Sequence, residues 1–184
     1  MVQYSITTSS LDGVITLNAP FSFQDSRGEN VEIFNKDELR KAGITVDFIR
    51  DSLSISYRNV LRGLHGDTRT WKLVTCLYGE IFLVVVDMRL DSPSYLKWES
   101  FLLSDKSKLQ VLIPPGFANG HVVLSDTALF FYKMSQDHDR SDQFTLAWDD
   151  PTLAISWPIH SPILSDRDAG LDPLAPRRLL IPNQ

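Results

Sequence analysis

The stretch from Asn59 to Phe82, NVLRGLHGDTRTWKLVTCLYGEIF, decides how the rest of the chain is read. It opens with a compact polar knot, Arg62-Gly63-Leu64-His65-Gly66-Asp67, and runs on into a segment that alternates with a period of two. Trp71, Leu73, Thr75 and Leu77 fall on one face; Lys72, Val74, Cys76 and Tyr78 fall on the other, the pattern of a half-buried strand. Lys72 therefore shares a wall with Val74 and Cys76, and His65 approaches that wall. A histidine, a lysine and an arginine held on rigid strand backbone have the makings of a site. A half-buried histidine capping a turn is the plainer reading of the same residues.

Outward from this stretch the chain keeps the same rhythm. Gly79-Glu80 reads as a hairpin turn into Ile81-Phe82-Leu83-Val84-Val85-Val86, a run apolar on both faces and so expected to be buried on both. Further strands are expected at Val14–Leu17, on either side of the turn Asp25-Ser26-Arg27-Gly28, and from Thr45 to Tyr57. Others follow at Trp98–Leu103, Leu109–Ile113, Val122–Leu124, Ala128–Met134 and Gln143–Trp148. Pro114 to His121 reads as a stiff loop entering the strand at Val122. One convincing helix opens at Asn35, with Glu38 at the capping-box position and Gly43 ending it. About ten short strands and one or two short peripheral helices predict an all-β sandwich or barrel; its jelly-roll version is the cupin fold.

With 184 residues and 43% hydrophobic content the chain is expected to form a single domain, 1–184, whose tail from about residue 158 wraps the outside in an ordered way. A net charge of -5 argues against nucleic acid and against an anionic membrane surface. It leaves room for a small anionic ligand held by a local arginine cluster. The one cysteine, Cys76, has no partner for an internal disulfide, and no apolar run reaches spanning length, so a cytoplasmic location is expected. A cupin metal site needs several convergent histidines, but the His-x-His pair such a site uses is replaced by His65-Gly66-Asp67. No metal and no other cofactor is expected.

The motifs, taken in order, carry a resemblance. Phe23-x-Asp25-x-Arg27-Gly28, Asn59-Val-Leu-Arg-Gly-Leu-His65, Lys72-Leu-Val, Gly79-Glu80, Val86-Asp87-x-Arg89, Ser92-Pro93, Ile113-Pro-x-Gly-Phe117, Tyr132-Lys133, Trp148-x-Asp150 and Leu164-Ser165-x-x-Asp168 follow one another over residues 21–171. In this the chain resembles the dTDP-4-dehydrorhamnose 3,5-epimerase family. The pieces RGLHGD, KLVTCLYGE, SPSYLKWE and PILSDRD are similar to a branch acting on GDP-linked 4-keto-6-deoxyheptoses of surface polysaccharides.

The resemblance implies an isomerase that epimerises C3, C5 or both in a nucleotide-linked 4-keto-6-deoxy sugar. The adjacent carbonyl acidifies those carbons, so the reaction needs a base, an acid on the opposite face and a cation at the enolate oxygen. His65 matches the base, Asp168 the carboxylate that orients it, Tyr132 the acid, and Lys72 the residue near the C4 oxygen. Arg62 matches a contact to the sugar and first phosphate. Arg27 matches a diphosphate contact supplied across a homodimer.

Departures from the family pattern fall at pocket positions. Asn119 and His121 stand in Phe117-Ala118-Asn119-Gly120-His121 where Phe-Ala-His-Gly-Phe is usual, Asp137-His138 replaces an aromatic pair, and Arg50-x-Ser52 replaces Gln-x-Asn. Asn119, His121 and His138 are therefore expected to face the substrate and to shift its identity toward one with more hydroxyls. Two rival classes stay open: a metal-dependent cupin isomerase or dioxygenase, and a non-catalytic sugar-binding module.

Overall fold

The structure, a computed structural model, describes residues 4–18, 21–137 and 139–170. Thirteen strands form among these residues. The first five are β1 (Ser5–Thr8), β2 (Ile15–Asn18), β3 (Phe21–Asp25), β4 (Gly28–Glu32) and β5 (Arg50–Tyr57), with helix α1 (Lys36–Lys41) before β5. Then come β6 (Leu61–Gly66), β7 (Lys72–Tyr78), β8 (Glu80–Asp87), β9 (Trp98–Ser104), β10 (Leu109–Ile113), β11 (Phe117–Val123) and β12 (Thr127–Met134). A 3-10 turn at Arg140–Asp142, β13 (Phe144–Thr145) and α2 (Asp166–Ala169) complete the order.

Two antiparallel sheets carry eleven of the strands, in the orders β1-β2-β10-β7-β12-β5 and β13-β6-β11-β8-β9, and β3 pairs only with β4 as a separate ribbon. Period-two alternation delivers one face of each sheet to a shared core. Val74 and Cys76 of β7, Val111 and Ile113 of β10, and Phe130 of β12 meet Ile81, Leu83 and Val85 of β8 and Phe117 and Val123 of β11. Burying each such side chain contributes about 1.5–3 kcal/mol.

The run in β8 is buried on both faces, as its composition requires. Val84 and Val86 point away from the shared core into a second cluster, covered by Leu146, Leu153 and Trp157 from the chain after β13. A third cluster covers the outer face of the six-stranded sheet: Leu17, Leu73 and Leu112 pack under Leu39 of α1 and Ile44. Asn35 caps α1 by accepting from the Asp37 and Glu38 amides, both at 3.1 Å, as its sequence predicts.

Four local readings change. The polar knot at 62–67 is strand β6, paired with β11 and β13, because its glycines let the backbone approach closely and do not break it. The Gly79 turn is a crossover between sheets, not a hairpin: β7 pairs with β10 and β12, β8 with β9 and β11. The doubly apolar β8 needs cover on both sides, which pairing beside β7 would not give. The loop entering at Val122 is already strand from Phe117, and the expected strand 143–148 shortens to Phe144–Thr145. Of the tail, residues up to Gly170 are described; 171–184 lie outside the described residues. Among the described residues no helix is long and apolar enough to cross a membrane.

Candidate active site

Residues of both sheets line a cavity of about 510 Å³. That volume falls in the range of small-molecule sites. Strand β6 projects His65 into it, β7 Lys72, β11 Asn119 and His121, and β12 Tyr132, so one pocket collects side chains from both sheets.

His65 Nε2 lies 2.7 Å from Asp168 Oδ1. Two devices bring this carboxylate, 103 residues away in sequence, to that point. The chain at Ile163 lies beside the start of β6, its carbonyl accepting from the Leu61 amide at 3.0 Å and its amide donating to the Asn59 carbonyl at 2.8 Å. Ser165 then caps α2, its hydroxyl accepting from the Asp168 amide at 3.2 Å, and turns the Asp168 side chain inward, where it is 5% exposed. Burial lowers the His65 pKa from its ordinary value, and the hydrogen bond and charge of Asp168 oppose that shift. The result is a neutral imidazole backed by a carboxylate, able to accept a proton and hold it.

Lys72 has its ammonium held on three sides. It donates to Asn119 Oδ1 at 3.1 Å and to the His65 carbonyl at 3.5 Å, and it lies 3.7 Å from Asp67 Oδ2. Asp67 is fixed in turn, since its Oδ1 accepts from the Arg69 amide at 3.1 Å and the Thr70 amide at 2.6 Å. Burial lowers the Lys72 pKa, and Asp67 opposes the shift. An ammonium only donates, so the Asn119 oxygen faces Lys72 and the amide NH2 faces elsewhere.

Tyr132 stands on the inner face of β12, its ring 5.4 Å from that of Phe130. The His121 ring approaches Phe130 from the other sheet, at 4.2 Å between centroids. His121 is 3% exposed, and burial, reinforced by Arg62 and His65, pulls its pKa down to about 3. Arg62 also lines the pocket, donating from Nε to Ser56 Oγ at 2.9 Å. At the rim Arg69 joins Asp139 at 2.6 Å and Asp142 at 3.1 Å, tying the segment after β12 to the β6–β7 connection.

Seven of the nine residues singled out in the sequence thus meet in this cavity. Arg27 does not: it sits in the β3–β4 turn, its side chain 84% exposed and paired with Asp25 at 2.6 Å. His138 lies outside the described residues. Arg50, named in the sequence as a pocket position, lines the cavity, and so does Ser54, which sequence reasoning missed. The signal was present, because Arg50, Ser52, Ser54 and Ser56 alternate with Leu53, Ile55 and Tyr57, and the polar set is the one that points inward. Among the described residues no three His, Cys, Asp or Glu side chains converge as metal ligands would.

The model of a family described as dTDP-4-dehydrorhamnose 3,5-epimerase matches residues 8–176. The dTDP-4-dehydrorhamnose 3,5-epimerase of Shigella flexneri is 42% identical over 153 residues, covering 81% of this chain and 84% of that protein. Among solved structures, the dTDP-4-dehydrorhamnose 3,5-epimerase of Bacillus anthracis with TDP and PPi bound superposes with a TM-score of 0.88. It is 34% identical and covers 93% of this chain and 99% of its own. The Legionella pneumophila enzyme in complex with dTDP-4-keto-L-rhamnose gives 0.85 at 37% identity, covering 91% of this chain and 90% of its own.

Proposed function

The chain belongs to the dTDP-4-dehydrorhamnose 3,5-epimerase family, and on that premise we propose that it is an isomerase inverting C3, C5 or both in a nucleotide-linked 4-keto-6-deoxy sugar. The observation that carries this reading is the His65–Asp168 pair at 2.7 Å in the same cavity as Lys72 and Tyr132. The reaction needs these four kinds of group and no redox step.

A carboxylate accepts only, so the proton of the imidazole sits on Nε2, toward Asp168, and Nδ1 is the basic nitrogen. Nδ1 takes the proton from the carbon beside the C4 carbonyl, and the C–H electron pair moves into an enolate with its charge on the C4 oxygen. The ammonium of Lys72 stabilises that oxygen, and the NH2 of Asn119, turned away from Lys72 by the bond between them, is a second donor. Tyr132 delivers its hydroxyl proton to the opposite face of the same carbon, inverting it. Imidazolium and phenolate then exchange protons with solvent to restore the starting state. Arg62 is assigned to the phosphate nearest the sugar, and His121 to the substrate's hydroxyls.

The active unit is proposed to be a cytoplasmic homodimer spanning residues 1–184 of each chain, without cofactor, in which Arg27 of one subunit reaches the diphosphate bound by the other. The buried free thiol of Cys76 is compatible with a reducing compartment. The test is deuterium incorporation at C3 and C5, followed by NMR, with dTDP- and GDP-linked 4-keto hexoses and heptoses. Wild type exchanges and inverts. His65→Ala loses exchange at both carbons, by at least about 10²-fold. Tyr132→Phe keeps exchange and loses inversion. Normal turnover in the histidine variant would end this reading, and equal loss of both readouts in the tyrosine variant would refute the division of labour.

A further inference from the structure

The proton transfers above leave two buried polar groups of the cavity unused. His121 Nε2 and Ser54 Oγ are both inaccessible and both without a hydrogen-bond partner among the described residues. They flank the same ring. Ser54 of β5 stands opposite Phe130 in register, on the inward-pointing set of its strand, and His121 stacks on Phe130 from the facing sheet. Both line the cavity.

We propose that Ser54 and His121 form a hydroxyl-reading subsite that selects among sugar nucleotides, an assignment that rests on the sugar-nucleotide reading of the same cavity. An unpaired buried polar group weakens a complex by about 5- to 150-fold, so an occupant that pairs neither atom is selected against. A methyl group pairs neither, which excludes the deoxy carbon of the sugar from this corner. The imidazole itself offers an anion no charge. Burial and the neighbouring Arg62 keep His121 uncharged, so the imidazole offers one lone pair and one N–H but no net charge. A hydroxyl donates and accepts at once, and so satisfies the serine and either tautomer of the histidine.

A third unpaired atom, Arg50 Nε, does not belong to this pair. It lies four residues before Ser54 on β5, roughly 13 Å along an extended strand, and stands by Met134 where the strand pairing ends.

Calorimetry with ligands that lack a 4-ketone tests the subsite without turnover. The probes are GDP- and dTDP-linked glucose, each against its 2-deoxy and 3-deoxy counterparts. Wild type is expected to bind one fully hydroxylated sugar at least about tenfold more tightly than the counterpart lacking the hydroxyl that is read. In His121→Phe and in Ser54→Ala that ratio shrinks toward one, and His121→Gln, which keeps a donor and an acceptor, recovers part of it. Equal binding of all counterparts by wild type overturns the proposal, as does a ratio that survives both substitutions. Equal weakening of every ligand would assign the two residues to structure alone. Deuterium exchange on 4-ketones, scored separately, decides the epimerase reading, so failure of either is distinguishable from failure of the other.

Discussion

Asp168 acts on His65 in a way that a pH profile separates from mere support. Its charge and hydrogen bond raise the imidazole pKa, while burial, the larger effect, lowers it below the ordinary value of about 6.5. A base must be neutral to act, so kcat/KM in the wild type falls only as pH drops through a value below about 6.5. Asp168→Asn removes the raising influence, so the acid limb moves to lower pH while the rate falls by about 10²–10⁴-fold. A limb that stays in place, with the rate alone reduced, would mean that Asp168 holds the fold and does not tune the base. At this scale part of the site was legible: alternation put Lys72 on the inward face of its strand beside Val74 and Cys76. His65, expected on the same wall, comes instead from β6 in the other sheet, because a local period cannot tell which sheet a strand joins. The role of Asp168 came only through resemblance, because no local pattern announces a carboxylate delivered from 103 residues away. Ser54 was missed because serines on a strand read as a solvent face, and here the apolar residues Leu53, Ile55 and Tyr57 face out.

The pairing of β6 with β11 sets the distance between base and cavity wall, and glycines make it possible. A Cβ on Gly63 would stand 2.5 Å from the Gly120 Cα, and one on Gly66 would stand 2.5 Å from the Phe117 carbonyl while overlapping the Phe144 ring. Gly66→Ala must therefore push β11 or β13 outward next to His65. An overpacked site of this kind costs about 1–3 kcal/mol, which lowers Tm by roughly 2–10 °C in a chain of this size. Thermal unfolding followed by circular dichroism checks this, and an unchanged Tm would show that the strands have slack. The same glycines explain why β6 looked like a knot, since Gly and polar residues mark turns when read locally. Pro114-Pro115-Gly116 likewise hid the start of β11. The Gly79 turn was read as a hairpin because turn chemistry is local, whereas the choice between pairing and crossing over is made by which faces must be buried.

For the whole molecule, two features lack a strand partner among the described residues. The β3–β4 ribbon pairs with neither sheet, and an isolated two-stranded ribbon is marginal in water. Edge strand β5 exposes Leu53 at 55%, Ile55 at 58% and Tyr57 at 71%, an apolar row beside an unpaired backbone edge. Both are accounted for by a two-fold dimer, and the predicted mass at micromolar concentration is that of a dimer; a fully active monomer would contradict it. Arg27, absent from its own cavity, then has a place to act across the interface. Arg27→Ala is expected to raise KM at least about tenfold with a smaller effect on kcat, as loss of a charge-assisted phosphate contact would. Co-expression of Arg27→Ala with His65→Ala decides whether the contact is made in trans. In the mixed dimer one cavity takes His65 from the first chain and Arg27 from the second, and so regains every group. With random pairing about one quarter of the sites are whole, and activity at low substrate recovers to about that fraction of wild type. If Arg27 served its own chain, or no chain, every His65-bearing cavity would still lack it, and the mixture would do no better than the two variants assayed apart.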